Sequence, residues 1–298
     1  MSREKRLFVT WTMDCETVQS AAGAPGGPET WELAERSMRG YVEALAARGQ
    51  RTTLFLIPHL AEGLPKVVRE LGAAGADLGL HLHPQTADLG YDRHLGQLPA
   101  ETQRALLEPC RDRVAAITGR APTSFRPGCF SGTWEIFPLL PELGFRQGSV
   151  TLPGRNSPSV GAVWVNDPPF AHWRAGREGE GFLELPTTVA LDQVGPHREA
   201  PCDPNHLRLE REGVEDWGPT LVREHVRRQA EHDWWLKSVV VMTHNTRRYD
   251  DAADPYRRNL ELIADAIAAA ADEWGLTMAP ATLAEVRQAA LPTAHKEA

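Results

Sequence analysis

Short apolar runs alternate along the chain with longer stretches of helical periodicity. Residues 7–12, "LFVTWT", read as a buried strand. Residues 30–48 carry Ala34, Met38, Tyr41 and Leu45 at helical spacing, and Gly49 stands where that helix would stop. Strand patterns recur at 52–57, 76–83, 123–126, 145–150, 181–186 and 238–245. Helical patterns recur from Pro65 to Leu71, over 100–118 with Pro109 as a possible kink, in a broken segment 132–144, and at about 218–236. Asp254 and Pro255 form a cap and first-turn pair for a helix with Leu260, Ile263 and Ile267 on its apolar face. A last short strand near 276–278 and a closing helix from about 281 complete the series. Strands that alternate with helices imply parallel βα units. The expected fold class is therefore α/β, a distorted (β/α) barrel with about seven parallel strands. No linker or repeat divides the 298 residues, so one domain over 1–298 is expected. Two long excursions interrupt it, near 151–180 and 192–217, and loops of that length are usually functional.

Composition narrows the partners. The 42% hydrophobic and 24% charged content suits a chain with a sizeable core. A net charge of −8 argues against nucleic acid or an anionic membrane as main partner. The four cysteines Cys15, Cys110, Cys129 and Cys202 have no paired spacing, so reduced thiols are expected. The apolar part of the N-terminus is short and runs into acidic residues, unlike a secretory signal, and there is no run of eighteen apolar residues. A cytoplasmic location follows as the expectation; oligomeric state stays open.

Several apolar runs end in groups capable of chemistry. The first ends in Asp14 and Glu16, the third in His81 and His83, and the last in Thr243, His244 and Asn245; another ends in Arg126. In a parallel barrel the C-terminal strand ends share one rim, so these groups converge there. Side chains two apart in a strand share a face. Asp14 and Glu16 therefore point one way and Cys15 the other, and His81 and His83 point together. One carboxylate with two imidazoles makes an open metal site, and a second carboxylate beside it suits proton transfer. Each group has an ordinary reading when taken alone: a turn or cap for the Asp, hydrogen-bonded structure for the His pair, a surface ion pair for the Arg. The other histidines, His59, His94, His172, His197, His206, His225, His232 and His295, lack this placement; His94 and His172 are the ones to watch.

The order of these motifs resembles the polysaccharide deacetylase family, the NodB-homology fold. "TMDCE" is similar to its Asp-x-Glu first motif, "GADLGLHLHPQ" to its histidine motif, "FRPGCFSG" to its Arg-x-Pro motif, "FLELP" to its fourth, and "VVVMTHN" to its last. The resemblance covers about residues 6–285. It implies Asp14 as catalytic base, Arg126 as the residue that orients it, His81 as a metal ligand and His244 as general acid. Two positions depart from the pattern. Either Glu16 or Cys15 takes the place of the metal carboxylate, strand period favouring Glu16. Gln85 stands where the second metal histidine belongs, so that His83, His94 or Cys15 would replace it.

The expected activity is metal-dependent hydrolysis of an N-acyl group, N-acetyl above all, on an amino sugar or related soluble small molecule. Glu16, His81 and His83 would hold a divalent ion, with zinc expected. Trp164, Phe170 and Trp173 in the first excursion are the candidate substrate-binding aromatics. The alternatives are hydrolysis of a ureide or other non-sugar C–N bond, or an inactive relative that binds carbohydrate or a partner.

Overall fold

The structure, a computed structural model, describes residues 5–22, 26–176, 181–195 and 201–291. In chain order it runs β1 (Arg6–Cys15), α1 (Gln19–Ala22), α2 (Trp31–Ala46), β2 (Thr52–Leu56), α3 (Pro58–Gly63), α4 (Pro65–Ala73), β3 (Asp77–Leu82), α5 (Ala100–Thr118), β4 (Ser124–Pro127), α6 (Ile136–Glu142) and β5 (Gln147–Gly148). There follow the hairpin β6 (Asn156–Ser157) and β7 (Ala162–Val163), then β8 (His172–Arg174), β9 (Phe182–Glu184), α7 (Val214–Glu231), β10 (Lys237–His244), α8 (Pro255–Glu273), β11 (Thr277–Pro280) and α9 (Leu283–Ala290).

The main sheet has the order β10-β1-β2-β3-β4-β5-β9-β8. Every pairing from β10 to β9 is parallel, which gives the seven parallel strands expected; β8 adds antiparallel to β9. Short β11 pairs with the first half of β1, where β2 has not yet begun. The curled sheet does not close through regular strands. Extended chain bridges the gap: Thr188 N–H donates to Val240 O at 3.1 Å, Leu207 N–H to Thr188 O at 2.8 Å, and Leu209 N–H to Met242 O at 3.1 Å.

The alternation within β1 sorts the molecule into layers. Leu7, Val9, Trp11, Met13 and Cys15 enter the large core shared with the outer helices, against Ala34, Met38, Tyr41 and Leu45 of α2. Thr30 caps that helix by accepting from Leu33 N–H at 3.1 Å. Phe8, from the other face, joins Phe55, Leu183, Leu185, Val240, Leu283 and Val286 in a second cluster. Further along the same face stand Thr10, Thr12 and Asp14, all buried. One face of one strand thus passes from apolar residues to a carboxylate, which ends up at the C-terminal edge of the sheet.

Differences from the sequence reading are local. α5 runs through Pro109 without a break. α7 starts four residues earlier than expected and carries Pro219 in its second turn, where the ring forfeits the amide hydrogen bond that position would make. α3 was not legible, because its six residues are too few to show a period. The first excursion holds three short strands rather than one.

The fourth motif has a structural role. Glu184 is fully buried, and its Oε1 accepts from the amides of Val150 and Thr151, each at 2.9 Å. Among the described residues its Oε2 has no partner. Burial dominates and pushes its carboxyl up to about 8, against 4.5 for an ordinary Glu. The folded state therefore holds a proton that the unfolded chain gives up. Its contribution is full below about pH 4.5 and is lost as pH rises through about 8, a change of roughly 4–5 kcal/mol. Glu184→Gln, which mimics the protonated acid, is expected to match the wild type in urea unfolding at pH 4.5 and to exceed it at pH 8.

Candidate active site

The C-terminal strand ends form a cleft of about 300 Å³ lined by Asp14, Glu16, His81, His83 and His244 among others. Strand register brings them there. Asp14 pairs with His244 across β1 and β10, and His81 pairs with Arg126 across β3 and β4. Asn245 fixes the chain just after β1, accepting from Glu16 N–H and donating to Glu16 O, both at 2.9 Å.

Asp14 is the hub. Its Oδ1 accepts from Arg126 Nη1 at 2.7 Å, while its Oδ2 stands 3.9 Å from the Nε2 atoms of both His81 and His244. Arg126 is 0% exposed and lies over the Phe55 ring at 4.5 Å. Burial opposes the charge on Asp14, but Arg126, then His81 and His244, outweigh it and lower its pKa. A buried carboxylate that stays ionised and has one oxygen left for a second partner is a suitable proton acceptor.

Glu16, His81 and His83 are the group of ligating side chains found among the described residues, their donor atoms all within 4.8 Å of one another. Glu16 Oε1 lies 3.2 Å from His81 Nε2 and 3.1 Å from His83 Nε2. The His81 Nδ1 faces the Arg126 carbonyl oxygen at 2.9 Å. A carbonyl only accepts, so Nδ1 carries the proton and Nε2 of the neutral ring presents a lone pair. That lone pair and the Glu16 oxygen repel unless a cation or proton sits between them. The donor set therefore fits a divalent ion. Without one, the group is held by protons: burial disfavours a charged His81, yet Asp14 and Glu16 raise its pKa, and the imidazoles hold Glu16 well below the usual carboxylate range.

The alternative ligands fall outside this group. Cys15 is wholly buried in the outer core, and burial, then Asp14 and Glu16, push its thiol far up, which disfavours a thiolate ligand. The His94 backbone amide donates to Gln97 Oε1 at 3.0 Å at the start of a short turn. His172 sets its Nδ1 against Phe170 O at 2.7 Å, and burial, then Arg174, lower it to about 4. His197 and His295 lie outside the described residues.

The three aromatic candidates are elsewhere, and that expectation is corrected. Trp164 is buried, donates Nε1–H to Phe130 O at 2.8 Å and packs on Phe137. Trp173 stacks on Trp235, and Phe170 packs edge-on to His225. None of them lines the cleft. Each carries more apolar area than an excursion can leave in water, so it covers neighbouring core instead.

One functional group was missed. Glu210 Oε1 accepts from His244 Nδ1 in a short hydrogen bond and from Arg208 Nε at 2.8 Å; its Oε2 accepts from Thr243 Oγ1 at 2.7 Å. Burial opposes its charge, but His244 and then Arg208 bring its pKa down to about 2. A signal was present: His206, Leu207, Arg208, Leu209 and Glu210 alternate polar and apolar, and both leucines are fully buried.

Gly128 controls the His83 ring. A Cβ there would sit 2.3 Å from His83 Cε1 and Nδ1. Gly128→Ala is expected to weaken divalent-metal binding by about 10–100-fold while the unfolding midpoint changes little, as read by metal titration and thermal melting.

Fold and cleft together define a curled (β/α) barrel of the NodB-homology class. Residues 28–148 match the family model described as polysaccharide deacetylase, so the resemblance read from the motifs is borne out. The matched stretch contains His81, His83 and Arg126. Among solved structures, a protein from Mycobacterium smegmatis described as a polysaccharide deacetylase is 16% identical, with a TM-score of 0.63 and coverage of 97% of this chain and 91% of that one. The Puue allantoinase is 13% identical with a TM-score of 0.55, covering 96% and 90%. A protein of Pseudomonas aeruginosa PAO1, also described as a polysaccharide deacetylase, is 12% identical with a TM-score of 0.54, covering 96% and 90%. These likenesses establish the fold. No curated protein sequence matches the chain. The family match supports a hydrolase of the deacetylase type. Among the described residues no helix is long and apolar enough to cross a membrane.

Proposed function

We propose that this protein is a metal-dependent amide hydrolase that removes an N-acetyl or similar N-acyl group from an amino sugar or related small molecule. The observation that carries this reading is the meeting of Glu16, His81 and His83 beside an ionised Asp14 and opposite His244. Glu16, His81 and His83 would hold the ion, and a carboxylate with two imidazoles suits zinc. Such an ion, when bound, polarises a carbonyl and eases the ionisation of water. Asp14 takes a proton from the attacking water, kept charged and aimed by Arg126. His244 gives a proton to the departing amine from Nε2, while Glu210 on Nδ1 fixes its ring.

A cleft of about 300 Å³ is at the small end for ligand sites, which favours a small molecule over a long polymer segment. The same small volume favours, as a second reading, hydrolysis of a ureide. The test is incubation of the zinc-loaded protein with N-acetylated amino sugars and with allantoin. Acetate released in step with free amine supports the main reading, and allantoin opening without acetate release supports the second. Neither product from protein carrying one ion per chain contradicts both.

A further inference from the structure

Besides Glu16, His81 and His83, the cleft lining carries charge that the proposed chemistry does not use. Arg155 and Arg208 both belong to it. Arg155 donates Nη1–H to the Cys129 carbonyl at 3.0 Å. Its Nε is buried 3.6 Å from Asp203 Oδ1, beyond hydrogen-bond reach and closed to a ligand, and among the described residues its Nη2 makes no hydrogen bond. Asp203 is held more closely by Arg211, whose Nη1 donates to Oδ2 at 3.1 Å. Arg208 uses Nε on Glu210; among the described residues neither of its Nη atoms has a partner.

Among the residues lining the cleft, the carboxylates Asp14, Glu16 and Asp203 stand against the guanidiniums of Arg155 and Arg208, and behind them Arg126 offsets Glu210, which leaves one net negative charge. A divalent ion on Glu16, His81 and His83 therefore leaves the cleft with an excess of positive charge. Two guanidiniums with donors to spare are suited to an oxyanion, which they bind through parallel N–H donors. A neutral sugar would leave those donors without counter-charge.

We propose that Arg155 and Arg208 form an anion subsite, and that the substrate is a small N-acyl compound bearing a carboxylate or phosphate. This rests on the amide-hydrolase reading for the reaction, though not for the binding of the anion. The subsite orients the molecule from its charged end, so that its acyl group reaches Asp14 and the metal ligands.

The experiment compares N-acetylglucosamine with two charged counterparts, N-acetylmuramic acid and N-acetylglucosamine 6-phosphate, on the zinc-loaded protein. The wild type is expected to favour at least one charged compound in kcat/KM by about tenfold or more, and which one tells carboxylate from phosphate. In Arg155→Met that preference is expected to fall by about 10–100-fold, through KM more than kcat, and Arg155→Lys is expected to retain part of it. Equal rates for neutral and charged compounds in the wild type, or a preference unchanged in Arg155→Met, overturn the proposal. If no compound is hydrolysed, the reaction reading fails and the subsite is judged by calorimetry with inorganic phosphate. Saturable binding weakened at least tenfold by Arg155→Met upholds it. Absent binding, or binding equal in the two proteins, overturns it.

Discussion

Asp14→Asn is expected to lower kcat by about 10²–10⁴-fold while the protein still binds its metal ion. The amide cannot take the proton that Asp14 is proposed to take, yet it is nearly the same size and leaves Glu16, His81 and His83 in place. The change also reaches stability. Arg126 is 0% exposed and has Asp14 as its ion-pair partner at 2.7 Å. Removing that countercharge leaves a buried guanidinium uncompensated, a loss of about 3–5 kcal/mol. Paired measurements of kcat, bound metal and urea midpoint check this. A variant with normal kcat would remove Asp14 from the proton path.

His83→Ala is expected to remove stoichiometric metal and reduce hydrolysis about a thousandfold or more, because polarisation of the carbonyl contributes several kcal/mol to the barrier. In the proposed site His83 would stand in for the position occupied by Gln85. Its ring meets the His81 ring nearly edge-on, with centroids 5.0 Å apart, and shares the same Glu16 oxygen. Metal analysis after dialysis reads the result. Retained stoichiometric metal would place the ion on a different set of donors.

Much of this arrangement was legible because it follows from the two-residue period of a strand. The alternation in "LFVTWTMDCET" separates the core-facing Cys15 from the cleft-facing Asp14 and Glu16. The spacing of His81 and His83 says that they share a face, and parallel strand order says which rim they reach. Glu210 was not legible from that logic alone. Its segment lies in a long polar stretch and joins β10 through isolated bonds of Leu207 and Leu209 to Met242, contacts between residues distant in sequence. The aromatic residues of the first excursion misled for the opposite reason. Tryptophan in a loop suggests a binding wall, yet Trp164 is buried with its indole N–H on a backbone carbonyl. The position of a loop side chain depends on what the loop covers, and a single sequence does not encode that locally. Gly128 belongs with these: its need for a bare Cα arises from the His83 ring packed against it, not from its own backbone angles.

In the proposed site one cation is shared by three side chains from two strand ends. A crystal structure of the zinc-loaded protein, with data collected at the zinc absorption edge, tests it most directly. A single strong anomalous peak is expected within about 2.0–2.2 Å of a Glu16 oxygen, His81 Nε2 and His83 Nε2. A peak on any other set of residues, or none in protein that hydrolyses its substrate, would contradict it.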